Sequence, residues 1–587
     1  MPYVDFISGS YPASSKNISV RRTVNWYPES TEGQGKTPAA LIPTPGTETF
    51  TTNVVPGLFI AGIGGSGTTP NRIEVFTGDP HNLVVGQTIA ITGTTNYNET
   101  NIVVTAILSQ TVFLYFSEIV TASATEVGGL VESIGPSPIV GAQPTDTCRG
   151  MHTSSTGRLF ACFGGHVYET FADGSTTSRI MVTDLPDDVS MTDDGVSLAF
   201  ADGYQYIVMA LDTNIVTVID TQAMAGFQNP ATVVFLNQRI VIQNRDLDLQ
   251  NNNKFFWTDI RKAWLIDPLS FASAEQSADP IIAMVVRQGD IWIYGPRSYE
   301  IWSIDDNPDL PYRLRGGSAT EIGCGARRSV TSIANQVFWM GSSKAGKNVV
   351  YTSNGGNAQR ISNYALENIL ERNAASSEDA IGFSYQAVGH TFYVLNFTQL
   401  DMTWVYDVTT GIWSERATRD AFTNVNRRWA PLYATFAFGR VIVGANVGPI
   451  LMTLNEERYV EWDGRPIVRT HVTPIYADDM TMLFYDRLDI DMETGVGLQS
   501  NYAEFSDQIQ GQRGKDPVMM IEKSSDGGFT YGTIRNVSIG KTGKYLQRCS
   551  LRRCGRGRDT VFRLSISDPV RAYISGARLI YTKGVNY

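Results

Sequence analysis

Gly157-RLFACFGGHVYETF, Gly195-VSLAFADGYQYIVMA and Gly289-DIWIYGPRSYEIWSI share one plan: a small turn residue, a strongly apolar strand, a second turn and another strand. The plan recurs at Asn237-QRIVIQNRD, Asn335-QVFWMGSSKAGKNVVYTS, Gly389-HTFYVLNFTQLDMTWVYD and Gly439-RVIVGANVGPILMTL. The seven leading turn residues stand 38, 42, 52, 46, 54 and 50 positions apart. Strand repeats of roughly 40 to 50 residues have the length of a β-propeller blade, which is four antiparallel strands with their turns. No WD or kelch signature travels with the period. The expected fold is all-β: a β-propeller of six or seven blades, an inserted small β-barrel and a C-terminal β-sandwich-like domain.

The rest of the composition agrees with a turn-rich globular chain. Its 587 residues exceed one ordinary domain, and a propeller of about 300 residues leaves room for two or three further modules. Hydrophobic residues make up 42% and aromatics 11%, enough to fill cores, and 54 Gly with 25 Pro suit dense turns. Helical periodicity is clear only at residues 363–373 (NYALENILERN), with Ser362 or Asn363 as the cap. Cys148, Cys162, Cys324, Cys549 and Cys554 are few, odd in number and widely spaced, which predicts reduced thiols and folding in a cytoplasm. The N-terminus lacks a basic start before an apolar core, and no window nears the ~20 apolar residues of a membrane span. Neither a signal peptide nor a membrane span is expected.

Charge is unevenly spread. The chain carries 47 Lys/Arg against 58 Asp/Glu, a net −11, yet residues 535–587 hold twelve Lys/Arg and two Asp/Glu. Residues 456–534 hold fifteen Asp/Glu and seven Lys/Arg. An acidic main body argues against general nucleic-acid affinity, which rests on neutralising phosphates.

Two compact clusters mark the N-terminal arm: residues 22–29 (RTVNWYPE) and 41–46 (LIPTPG). Trp26 and Tyr27 are expected to pack against the first blade. RTVNWYPE followed by LIPTPGTETF resembles the start of the tail nozzle proteins of short-tailed bacteriophages (podoviruses), also called packaged-DNA stabilisation proteins. The resemblance resumes at residues 149–169 (RGMHTSSTGRLFACFGGHVYE) and 189–203 (VSMTDDGVSLAFADG), and near the C-terminus at Asp516-PVMMIEKSSDGGFTYG, Gly540-KTGKYLQR and Ser567-DPVRAYISGARL. It implies a propeller-bearing subunit of a homo-hexameric ring below the head-to-tail adaptor, around the DNA exit channel. The partners implied are the adaptor ring above, tail needle, tailspike or fibre components, and packaged DNA that passes without sequence-specific binding. The implied place is the virion tail, after assembly in the host cytoplasm.

Four parts are expected: an arm and propeller start (1–69), the barrel (70–135), the blades (136–455) and a sandwich-like platform (456–587). The barrel stretch, Pro80-HNLVVGQTIAITGTTNYNETNIVVTAILSQTVFLYF, reads as four or five short strands. It resembles small inserted modules with a "PHGL…GD.V.I.G" pattern, departing from it at Asn82 and Gln87. Gly62-IGGSGTT lacks the Lys-Ser/Thr ending of a phosphate cradle and reads as a flexible turn. Phe255, Phe256 and Trp257 read as core of a blade, with an exposed contact as the other possibility. Asp305 and Asp306 read as a solvated loop.

Little in the chain looks catalytic. Ser524, Asp526, Gly528 and Thr530 fit the Ser-x-Asp-x-Gly-x-Thr turn called an Asp-box, common in sialidase propellers, which pins a hairpin and cleaves nothing. His81, His152, His166, His390 and His471 lack metal spacing, and Cys549 with Cys554 has no second ligand pair. No GxSxG, P-loop or dinucleotide fingerprint occurs, so no enzyme, metal or cofactor is expected. The remaining alternative is a sialidase-like propeller that binds or cleaves carbohydrate. Arg552, Arg553, Arg556 and Arg558, with Gly555 and Gly557 between them, suggest an exposed basic turn and a candidate assembly surface. Three readings stay open: neutralisation within one subunit, contact with the acidic strip of the next, or contact with DNA.

Overall fold

The computed structural model describes residues 6–584, leaving out 32–35, 52–57, 66–71, 79–87, 110, 118–124, 129, 134–138, 140–141, 143–145, 185–186, 222–226, 246–251, 275–278, 344–345, 356, 421–422 and 499–515. His81, Asn82 and Gln87 lie outside the described residues. The chain forms two compact units. One is Met1–Glu48, Ala274–Ala430 and Leu454–Tyr587; the other is Thr49–Ser273 and Pro431–Thr453.

The described residues contain seven antiparallel blade sheets. The first joins Cys148–Thr153, Leu159–Phe163, His166–Thr170 and Thr176–Met181; the seventh joins Pro431–Ala437, Arg440–Ala445, Leu451–Asn455 and the N-terminal strand Gly46–Thr49. All seven leading turn residues have positive φ: Gly157 83°, Gly195 85°, Asn237 54°, Gly289 84°, Asn335 59°, Gly389 79° and Gly439 77°. Five of these turns are two-residue hairpin loops whose other residue is also left-handed, as at Val388 with φ 50°. That geometry matches strand twist and selects Gly or Asn, which is why the turns were visible in the sequence.

Inner blade strands such as Leu159–Phe163, Ser197–Ala201 and Arg239–Gln243 are buried on both faces, so they read as near-continuous apolar runs. In the second unit, Leu198 and Phe200 face the core of blade one with Phe160 and Val167. Ala199 and Ala201 face the core of blade three with Ile240, Ile242 and Phe256. Phe255, Phe256 and Trp257 are all buried, in the core as expected. In the first unit, Trp292 packs with Trp339 between blades four and five, and Phe338 with Tyr393 between blades five and six. The helix Tyr364–Arg372 joins that last core, with Asn363 as its cap: Leu366 N donates to Asn363 Oδ1 at 2.9 Å.

The second unit also holds a closed six-stranded barrel, in the order Val112–Phe116, Arg72–Thr77, Leu58–Gly65, Leu130–Ser133, Thr88–Thr92, Glu99–Ser109. Ile63, Val75, Ile91, Val104, Phe113 and Val131 fill it. The barrel begins upstream of residue 70, and Gly62 to Gly65 lie in its first strand, not in a flexible turn.

In the first unit a sandwich encloses Trp26, Leu41, Leu488, Met519, Phe562, Leu564 and Ala577. One of its sheets runs Val20–Val24, Arg469–Val472, Val561–Ile566, Val518–Ser524, Arg535–Ser538; the other runs Trp26–Ser30, Ala39–Pro43, Ile574–Lys583, Leu483–Met492, Cys549–Gly557. The arm is thus built into the sandwich. Trp26 donates its Nε1–H to Ala572 O at 3.0 Å, while Tyr27 packs on His390 and Phe392 of blade six. Packing against the first blade is corrected: a chain end is free to pair with strands hundreds of residues away.

Candidate assembly surface

Among the described residues, the strand Cys549–Gly557 is the outer strand of its sheet, paired with Leu483–Met492 through partners such as Leu488 and Leu551. Alternation sends Cys549, Leu551 and Cys554 into the core. A register shift, with Arg553 at φ 56° and Gly555 at φ 73°, breaks the alternation so that Arg552 and Arg553 both face solvent. Arg556 and Arg558 are exposed as well. The expected turn is therefore a bulged edge strand, and Gly557 is buried.

Its edge is not open to a further strand. Arg535 donates to Arg552 O at 2.6 Å and Arg553 O at 3.1 Å, and Lys523 Nζ donates to Arg556 O at 2.8 Å. Burial pushes Lys523 below its ordinary range. Other cations of this segment are paired within the sandwich: Arg563 with Glu522 at 2.6 Å, Arg571 with Glu493 at 3.0 Å, Lys583 with Asp478 at 2.5 Å. Among the described residues, Arg552, Arg553, Arg556 and Arg558 have no acidic partner within 4.0 Å. Four free guanidinium groups therefore stand on a capped edge.

Beside this strand lies the Asp-box turn. Ser524 Oγ donates to Asp526 Oδ1 at 2.6 Å, and Asp526 also accepts from Phe529 N at 3.0 Å, Thr530 N at 3.0 Å and Thr530 Oγ1 at 2.5 Å. These donors, the Ser524 hydroxyl first, hold the carboxyl well below its usual range. Gly528 N donates to Ser524 Oγ at 2.8 Å, and Gly527 N donates to Asp559 O at 2.9 Å. The turn fastens the basic strand's exit to the neighbouring strand, and both carboxylate oxygens of Asp526 are used within it.

Residues 22–29 tie blade six to the sandwich. Val20–Val24 pairs in parallel with Ile412–Arg419 of the blade and antiparallel with Arg469–Val472, giving an eleven-stranded sheet that runs through both. Arg22 forms a two-pronged ion pair with Glu415. Asn25 donates to Ala417 O at 2.8 Å and Val468 O at 2.9 Å. His390 Nδ1 donates to Asp407 Oδ2 at 2.8 Å and its Nε2 to Glu29 Oε2 at 3.3 Å, so Asp407 chiefly, and Glu29, raise its pKa.

Blades one and two hold a polar knot absent from the sequence reading. His152 Nε2 donates to Asp193 Oδ1 at 2.8 Å, and Ser155 gives its N–H, at 3.0 Å, and its hydroxyl to Asp193 Oδ2. Despite burial, these donors bring Asp193 down to about 2. Serine and imidazole both converge on the carboxylate, so the serine is not presented to a base. Spacing gave no signal, because the partners sit on different blades. Among the described residues no cluster of three or more His, Cys, Asp or Glu could hold a metal ion, and all five cysteines are free and buried. No helix of the described residues is long and apolar enough to cross a membrane.

Two family profiles match the chain: bacteriophage P22 Gp10, β-propeller, over residues 139–459, and bacteriophage P22 Gp10, β-sandwich, over residues 469–581. The chain belongs to the bacteriophage P22 Gp10 family. As a Gp10-family member it is a phage tail structural protein, with the seven sheets as propeller blades and the C-terminal sheets as the sandwich. No curated protein matches it. Among solved structures the Gp10-family chain is similar to the designed Ika8 protein, at 14% identity and TM-score 0.32, covering 64% of this chain and 100% of that one. BamB from Moraxella catarrhalis gives 10%, 0.31, 53% and 83%, and hydrazine synthase of Kuenenia stuttgartiensis 9%, 0.38, 54% and 97%. Likenesses at this level carry nothing about function.

Proposed function

We propose that this tail protein is a protomer of a hexameric nozzle ring that extends the channel below the head-to-tail adaptor, retains packaged DNA and guides its ejection. Its role is mechanical, not enzymatic. The observation that supports this reading most directly is the sheet shared by blade six and the sandwich, locked by Arg22, Asn25 and His390. A continuous hydrogen-bonded sheet transmits load without a hinge, which suits a wall under DNA pressure. Assembly in the host cytoplasm, on the adaptor and with needle, spike or fibre components below, belongs to the same proposal.

Within that ring, Arg552, Arg553, Arg556 and Arg558 form an assembly surface that meets carboxylates of a neighbour. The Glu522, Glu493 and Asp478 pairs support partial neutralisation inside the subunit, and the four arginines are what that neutralisation leaves over. Contact with DNA is the weaker reading, since a wall that must release DNA quickly gains nothing from holding it. Electron cryo-microscopy of tailed particles tests the ring: the expected result is a closed ring of this chain beneath the adaptor. Isolated fibres or spikes of it would overturn the reading.

A further inference from the structure

At one end of the sandwich, the turn at residues 540–548 holds Tyr545 and Leu546 in solvent, 69% and 100% exposed. It is braced: Gly543 N donates to Gly495 O at 2.8 Å, Gln547 N to Lys544 O at 3.1 Å, and Thr494 Oγ1 to Tyr545 O at 2.9 Å. Lys541, Lys544 and Arg548 flank the two apolar residues in the same turn, are exposed, and have no acidic partner within 4.0 Å among the described residues. A rigid apolar knob in a cationic collar loses little freedom on docking and selects a socket of opposite charge.

The chain carries such a socket in its other unit. Blades one and two, residues 148–219, hold nine Asp/Glu against three Lys/Arg. Their loops enclose two adjoining open clefts of about 550 and 330 Å³ that share Gly195. Phe235, Val196 and Leu211 give the clefts apolar walls, and Asp194 and Asp212 stand at them; Arg158 also lines the smaller cleft, with its guanidinium paired to Glu169 at 2.7 Å. Resting on the ring reading, we propose that Tyr545 and Leu546 of one copy dock in the clefts beside Gly195 of the next copy. Lys541, Lys544 and Arg548 then face Asp194 and Asp212. Knob and socket are different surfaces, so the contact is head-to-tail and closes into a ring when the rotation per subunit allows it.

Tail particles carrying the double variant Leu546→Cys with Val196→Cys test this under mild oxidation. The native cysteines are buried and burial raises their thiol pKa values, so they stay out of the reaction. The expected result is a ladder of covalent multiples of the chain from the double variant and none from either single variant. A ring of this chain without a ladder overturns the docking contact and leaves the ring reading standing; loss of the ring reading itself would appear as particles in which the chain forms no ring. A covalent dimer from the Leu546→Cys variant alone also overturns the contact, since it would join two knobs. In a second arm, Lys544→Glu should lower ring yield about tenfold and adding Asp212→Lys should restore it. Phosphatidylglycerol vesicles probe the rival occupant: binding that Leu546→Asp abolishes, with no ladder, would make the knob membrane-directed and sink the proposal.

Discussion

Asn25 and Ala417 hold each other as opposed residues of two strands would. Ala417 N donates to Asn25 Oδ1 at 2.9 Å, and Asn25 Nδ2 donates to Ala417 O at 2.8 Å. A side-chain amide thus stands in for a peptide group at φ 58°, where asparagine is better tolerated than most residues. Asn25→Ala takes the partner from part-buried backbone groups of Ala417 and Val468, each worth about 1 kcal/mol. The substitution should lower the urea midpoint of the sandwich transition strongly, and Asn25→Gly, which keeps the backbone freedom, less so. An unchanged midpoint for Asn25→Ala would show that the amide is dispensable.

Glu461 gives a pH dependence of its own. It is buried, accepts from Thr47 Oγ1 at 2.8 Å and Thr418 Oγ1 at 3.4 Å, and burial pushes its carboxyl up to about 7. A carboxyl raised on folding favours the folded state fully below its unfolded value, 4.5, and that contribution is lost as pH rises through 7. Glu461→Gln should therefore match the native chain at pH 4 and exceed it by up to roughly 3 kcal/mol at pH 8. Parallel unfolding curves at all pH values would contradict this.

The arm's two histidine anchors respond to pH in opposite directions. His471 Nε2 donates to Phe6 O at 2.8 Å, and burial pushes its pKa down to about 4; its contribution is present above 6.5 and lost as pH falls toward 4. His390, raised by Asp407 and Glu29, contributes below 6.5, and that is lost as pH rises through its higher folded value. Hydrogen exchange should show the Phe6 end of the arm loosening first in acid and the Glu29 end first in base. His390→Gln should remove only the alkaline effect. Loosening of both ends together would mean that neither imidazole sets the response.

What the sequence disclosed was local. Two-residue loops with left-handed backbone favour Asn or Gly, and each of the five here has one, so the blade hairpins, the Asn363 cap and the Ser524–Asp526 turn could be read from a few adjacent residues. The arm could not, because Arg22 meets Glu415 and Trp26 meets Ala572, and local pattern does not encode partners at such separation. Gly555 was ambiguous for another reason: a left-handed residue serves a bulge as well as a turn, and only pairing with residues 483–492 decides between them. The knot at Asp193 joins two blades and was invisible for the first reason.

The barrel should be removable. Thr51 N donates to Leu451 O and Ile139 N to Pro449 O, so the ends of the insertion are held two residues apart on blade seven. The barrel also has a core of its own. We propose that it is an independent module on the outside of the ring. Replacing residues 53–137 by a short glycine linker should leave the cooperative melt of the remainder intact, because the ends already lie close together. Loss of that melt would make the barrel part of the propeller core.

The four arginines of the edge strand separate a surface for neighbours from a solvated face. Their guanidinium groups are exposed and unpaired among the described residues, so substitution removes no charge pair of the fold. The backbone carbonyls that Arg535 and Lys523 cap are unaffected by a change of side chain. Replacing Arg552, Arg553, Arg556 and Arg558 together by Glu should therefore leave the melting temperature of the isolated chain nearly unchanged. Ring assembly should be blocked, because four charges change sign against an acidic neighbour, a net change of eight units, and repulsion across an interface costs several kcal/mol. Salt distinguishes the cause: added salt screens such repulsion, so partial recovery of assembly is expected as ionic strength rises. Normal assembly of the quadruple variant at low salt would show that the strip is only a solvated face, and a large fall in melting temperature would place the arginines in the fold instead.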